Sequence, residues 1–107
     1  RVEKCHLLFP QDLLRLFLKH QGSFGRALGF DVPSETASSC GNLFKKEKTV
    51  GHLGFTGSSF WMDLYQSVII VLLTNRIHPS RENERIKKFR PMLHDEIMRQ
   101  IITSSCP

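Results

Sequence analysis

Apolar positions are densest between Gly51 and Asn75, GHLGFTGSSFWMDLYQSVIIVLLTN, where they fall in three short blocks. Val50 to Phe55 is punctuated by Gly51 and Gly54, Ser58 to Met62 carries Phe60 and Trp61, and Val68 to Leu73 is apolar throughout. Short lengths with β-branched and aromatic enrichment favour strand over helix. The links between the blocks are short, which predicts an antiparallel meander. Because the last block does not alternate, it predicts a strand covered on both faces. Glycines in the first block mark a bulge or a place where another backbone or a ligand comes close.

Helical spacing appears on either side of this centre. Pro10 suits a first helical turn, Leu13, Leu14, Phe17 and Leu18 share one side, and Gly22 is placed to cap the end, which predicts a helix over Gln11 to His20. From Gln21 to Ser39 the chain is rich in Gly, Ser and Pro, and Arg26 to Phe30 is the strand-like piece of that long loop. A charged turn follows at Lys45 to Lys48. Beyond the strands, Ser80 is the expected N-cap of a helix reaching Ile102, with Glu82 and Glu84 in its first turn. Ile86, Phe89, Leu93, Ile97 and Ile101 form its apolar stripe, and Pro91 predicts a kink or restart near Arg90.

The elements predict an α+β unit in which a three-stranded antiparallel meander is packed by a C-terminal helix. Residues 1–47 form a helix and loop region, 48–76 the meander and 80–102 the helix. A chain of 107 residues is one domain at most, and 40% apolar with 23% charged residues is ordinary for a globular protein. The longest apolar run is far short of a membrane span. The sequence opens at Arg1 rather than Met, so an excerpt from something longer is expected, with any targeting signal outside it.

The net charge of +5 and pI near 9.5 permit acidic partners without requiring them. Lys45, Lys46, Lys48 and the run from Arg81 to Arg90 are interleaved with Glu47, Glu82 and Glu84, the pattern of a solvated face. Cys5, Cys40 and Cys106 are odd in number and widely spaced, which fits three free thiols rather than a disulfide framework or a zinc site. Among the histidines, His6, His20, His78 and His94 show no ligand spacing, so neither a metal nor a cofactor is expected.

The order of the pieces carries further information. Gly51-His52-Leu53-Gly54-Phe55-Thr56-Gly57, an aromatic strand ending at Asp63, a strand ending in Leu72-Leu73-Thr74-Asn75-Arg76 and then a helix resemble the C-terminal third of the serine β-lactamase and penicillin-binding protein family. The likeness is to the branch near the class C β-lactamases, related esterases and D-alanyl-D-alanine peptidases. Arg26-Ala27-Leu28-Gly29-Phe30-Asp31 and Ser38-Ser39-Cys40-Gly41 are also similar to segments of that branch, so the resemblance covers about Phe9 to Met98.

The family uses three boxes: Ser-x-x-Lys, Tyr-x-Asn or Ser-x-Asn, and Lys-Thr-Gly or His-Thr-Gly. This sequence has a counterpart of the third, His52-Leu53-Gly54. No serine is followed by lysine three positions on, and Tyr65-Gln66-Ser67 is not Tyr-x-Asn, so this chain alone is not expected to acylate. The resemblance implies that the backbone amide of Phe55 is an oxyanion donor, that the Phe55 carbonyl pairs with a substrate amide, and that His52 lies beside the nucleophile. It places Leu53, Gly54 and Thr56 along the substrate, with Gly54 keeping the strand edge bare. Leu53 stands where the family has a hydroxyl residue, which leans away from β-lactam or peptide-carboxylate recognition and toward an esterase-like member. Leu64 replaces a proline common at the hairpin.

The implied partners are the remainder of the parent domain and a small ester, β-lactam or peptide substrate. An open edge beside Val68 to Leu73 makes self-association a further expectation. The implied location is the bacterial envelope, periplasmic or secreted, although no signal lies in this chain. One alternative is a noncatalytic interaction module that keeps the fold. Another is a KH-like nucleic-acid binder, since Gly51 and Gly54 match GxxG, but a KH loop joins two helices and the flanks here look extended. No nucleic-acid partner is expected.

Overall fold

A computed structural model describes residues 8–22 and 25–104. Cys5, Cys106 and His6 lie outside them. Helix α1 spans Gln11–Leu18, a 3-10 turn spans Lys46–Lys48, strands β1 (Thr49–Leu53), β2 (Ser59–Asp63) and β3 (Val68–Leu72) follow, and helix α2 is Ile86–Ser104. The strands form an antiparallel sheet in the order β1-β2-β3, the meander the short links predict.

The register fixes which way each residue looks. Gly51 exchanges both backbone bonds with Asp31, at 2.7 and 3.0 Å, so Gly51 faces away from β2 while Val50 and His52 bond to Met62 and Phe60. By the same alternation Ile70 bonds to Trp61, and the amides of Ile69 and Val71 point to the outer edge. One face of the sheet carries Leu53, Trp61, Val68 and Ile70. Here Trp61 and Ile70 join Cys40, Phe44 and Met98 of α2 in the buried core, with Leu53, Val68 and Ile97 packed against it. The opposite face carries His52, Phe60, Ile69 and Val71.

Gly51 shows why a glycine is needed inside β1. A Cβ there would run into the Phe60 carbonyl and the Trp61 ring, whose atoms lie 2.5 and 2.7 Å from its position. The close approach is the protein's own: Trp61 lies across one side while the Asp31 backbone pairs along the edge.

Several expectations need correction. β3 is not covered on both faces among the described residues, because Ile70 is buried while Ile69 is 64% and Val71 60% exposed. Ser80 does not cap the long helix. It closes a separate turn, accepting from the Glu82 amide at 3.1 Å on its Oγ and from the Asn83 amide on its carbonyl. The helix starts at Ile86, just after Asn83 accepts the Arg85 amide on its side chain at 3.0 Å. It runs through Pro91 without a break. Its buried stripe is Arg90, His94 and Met98, one residue round from the apolar stripe, and Phe89 is exposed.

α1 ends at Leu18 with an extended Lys19, so Gly22 is not its cap but belongs to a later turn. Arg26 to Phe30 is a tight turn rather than a strand, closed by Ala27 N–H to the Phe30 carbonyl and by an Arg26–Asp31 ion pair of 2.5 Å. Phe30 then meets Phe60 edge-on, with centroids 6.2 Å apart. α1 buries none of its residues, and Phe9, Leu13, Leu14 and Phe17 leave an apolar pocket beside Phe30. No helix among the described residues is long and apolar enough to cross a membrane.

Candidate functional site

The turn that joins β1 to β2 gathers the residues singled out in the sequence. Gly57 N–H donates to the Gly54 carbonyl at 3.1 Å, which places Phe55 and Thr56 at the two central positions of a β-turn. Gly57 has φ +99°, and a Cβ there would overlap the Thr74 hydroxyl and sit 3.3 Å from Arg76 side-chain carbons. Glycine is therefore required by both conformation and space.

All four carbonyls of this turn are engaged. The Phe55 carbonyl accepts Nε–H of Arg76 at 2.8 Å. The Thr56 carbonyl accepts the Arg76 amide at 2.7 Å and the Thr74 hydroxyl at 3.2 Å. Gly57 accepts Nη2–H of Arg90 at 2.7 Å. Arg76 also donates Nη1–H to the carbonyls of Arg81 and Asn83, both at 2.9 Å, and so ties the hairpin to the approach of α2. The amide of Phe55 makes no hydrogen bond with the described residues.

His52 is exposed on the sheet face opposite the core, and its Nδ1 lies 3.0 Å from the Leu53 carbonyl. A carbonyl can only accept, so Nδ1 carries the proton and Nε2 is left free. Leu53 is half-buried on the core face, Gly54 and Phe55 are exposed, and Thr56 is half-buried. The five residues are thus contiguous, but His52 and Leu53 look to opposite faces. One implication of the resemblance is weakened: one lone pair of the Phe55 carbonyl, assigned to a substrate amide, is taken by Arg76. Gly54 does leave the backbone bare, and a Cβ there would come 3.2 Å from the Ser58 carbonyl. Gly51 and Gly54 sit on a strand and its hairpin turn, not between two helices as a KH loop would be.

Three other titratable groups among the described residues, Asp63, His94 and Cys40, serve the scaffold. The buried Asp63 carboxylate accepts the amides of Lys45, Tyr65 and Gln66 and the Gln66 side chain, at 2.7 to 3.0 Å. His94 is fully buried, donates Nδ1–H to the Ser39 carbonyl at 3.0 Å and meets Phe44 edge-on. Burial pushes its pKa down, so it stays neutral with Nε2 unpartnered. Burial likewise pushes the Cys40 thiol up, which leaves it inert as a nucleophile. No cluster of metal ligands occurs among the described residues.

Sequence reasoning missed Arg90. It is 5% exposed, its Nε is buried without a partner, and no carboxylate forms an ion pair with it among the described residues. Burial first, and then the positive charge of Arg76, push its pKa below the ordinary arginine value. Nothing in a helical pattern of charged residues marks one arginine as buried. Comparison with known proteins returned no match to a family model, a curated protein or a solved structure.

Proposed function

We propose that this chain forms the oxyanion-side wall of a serine hydrolase similar to the β-lactamases and related esterases, with the nucleophile supplied by the remainder of the parent domain. The observation that carries this is the Phe55 amide, unpartnered on a turn whose carbonyls are all held by other groups. A donor fixed in advance needs no reorganisation when negative charge develops on a carbonyl oxygen. Arg76 and Arg90 grip the turn through its carbonyls and so support that amide.

In such a reaction the serine oxygen bonds to the acyl carbon, its proton passes to a base, and the carbonyl oxygen takes up charge beside the Phe55 amide. His52 offers a free Nε2 on the exposed face, suited to hydrogen-bond the attacking hydroxyl. Leu53, turned to the face opposite His52, supplies no hydroxyl for a substrate carboxylate, which favours simple esters. The exposed Ile69 and Val71 on the same face as His52 suit burial by the rest of the domain.

The same apolar face also favours a second reading, a noncatalytic module that uses it to hold a partner. Hydrolysis of a p-nitrophenyl ester by the full-length parent, with and without His52→Ala, separates the two. A loss of about 10²-fold or more in kcat/KM is expected if His52 serves the reaction. Unchanged turnover makes His52 a bystander, and no turnover in the parent itself favours the noncatalytic module.

A further inference from the structure

Behind the turn, on the core side of the sheet, a pocket of about 180 Å³ has an apolar lining of Leu53, Phe55 and Ile86 and a charged lining of Arg76, Arg90, Lys87 and Glu84. We propose that this pocket binds the carboxylate of a small organic acid, held by Arg76 and Arg90 with its apolar part against Leu53, Phe55 and Ile86. This goes beyond the hydrolase reading and does not depend on it, since Leu53 and His52 look to opposite sheet faces.

The charge arrangement calls for an anion. Arg90 is more than nine-tenths buried, uses Nη2 on Gly57 and leaves Nε with no acceptor. Arg76 spends Nε and Nη1 on backbone carbonyls, which leaves Nη2 without an acceptor among the described residues. Two guanidinium groups therefore line one pocket, Arg76 with Nη2 unspent and Arg90 with an enclosed Nε–H that has no acceptor and a charge that has no ion-pair partner among the described residues. Glu84 offsets them only in part: its carboxylate, held below the usual range by Lys87 first and to a lesser degree by Arg76, is 2.8 Å from Lys87 Nζ and mostly exposed. A buried cation without a counter-charge is costly, and an anion placed between two such groups relieves both desolvation and mutual repulsion.

The lining narrows the anion. Carboxylates match the planar guanidinium fork, and the Phe55 ring, whose centroid is 4.9 Å from the Arg76 guanidinium and 5.5 Å from that of Arg81, presents carbon rather than donors. Inorganic phosphate would leave hydrated oxygens against Leu53 and Ile86.

The test is an NMR titration of the ¹⁵N-labelled chain at constant ionic strength, reading the Arg90 Nε–H resonance. Butyrate is expected to move it saturably, while butyramide and chloride do not and phosphate binds more weakly. Glu84→Gln, which removes a negative charge beside the pocket, is expected to tighten butyrate about twofold to fivefold. In parallel, butyrate should raise the urea midpoint and butyramide should not. An unmoved resonance with an unchanged midpoint, an equal response to butyramide or chloride, or tighter binding of phosphate overturns the proposal. Loss of ester turnover in His52→Ala would leave these results untouched, so the two readings fail separately.

Discussion

The guanidinium of Arg90, in the middle of α2, donates to the carbonyl of Gly57 at 2.7 Å, across 33 residues of chain. That bond fastens the β1–β2 turn to the helix and is made by a buried charge. Arg90→Met keeps the volume of the side chain but leaves the Gly57 carbonyl without its donor. Hydrogen bonds to charged groups are worth about 1.5–3 kcal/mol, and removal of the unpaired charge offsets part of this. A net loss of about 1–2 kcal/mol is expected in urea unfolding, and a variant as stable as the parent would show the bond to be dispensable.

Gly57→Ala tests the same turn from the other side. Its φ of +99° lies where a Cβ is strained, and the added methyl would meet Thr74 and Arg76. A destabilisation of at least about 1–3 kcal/mol follows from the backbone term alone. Because Arg76 holds the Phe55 and Thr56 carbonyls, the variant should also shift the Phe55 and Thr56 amide resonances well beyond their neighbours. Chemical shifts confined to residue 57 would count against a shared clasp.

These two arginines show where the sequence was readable. The meander follows from local composition: aromatic and β-branched blocks with short links leave few other arrangements, and the strands lie within a residue or two of their expected limits. The start of α2 was not readable, because Ser80 is as good a turn former as a helix cap and spends its oxygens on Glu82 and Asn83. Nor was the buried stripe of α2. Arg90 and His94 are polar, and their burial depends on acceptors at Gly57 and Ser39 that lie far away in the chain. For the candidate site, the contiguity of His52 to Thr56 was trivially present, but the occupation of the Phe55 carbonyl depends on Arg76, 21 residues on.

His94 gives the fold a pH dependence. Burial lowers its pKa from 6.5, so near neutrality it is uncharged in both the folded and the unfolded chain. As pH falls through about 6.5 the unfolded chain binds a proton that the folded chain refuses, and stability drops until the lower folded pKa is reached. The limiting slope is about 1.4 kcal/mol per pH unit. Urea midpoints measured from pH 7.5 to 5 should fall for the parent and fall less steeply for His94→Gln. Parallel profiles for the two would assign the acid sensitivity to other groups.

The last prediction concerns the outer edge of β3. Trp61 takes the inward-facing bonds of Ile70, so the Ile69 and Val71 amides face outward, and their side chains are 64% and 60% exposed. The run from Val68 to Leu73 carries no charge and no proline, so nothing on this edge discourages another strand from pairing with it. In a dilute monomer, hydrogen exchange should therefore alternate along the strand: Ile70 and Leu72 protected, Ile69 and Val71 at least about tenfold faster. Raising the concentration should slow Ile69 and Val71 if copies pair edge to edge, and Val71→Lys should abolish that change. If the proposed larger domain covers this edge, the same two amides should be slow there at every concentration. Equal protection of all four amides in the dilute monomer would mean that the edge is already closed by the chain itself.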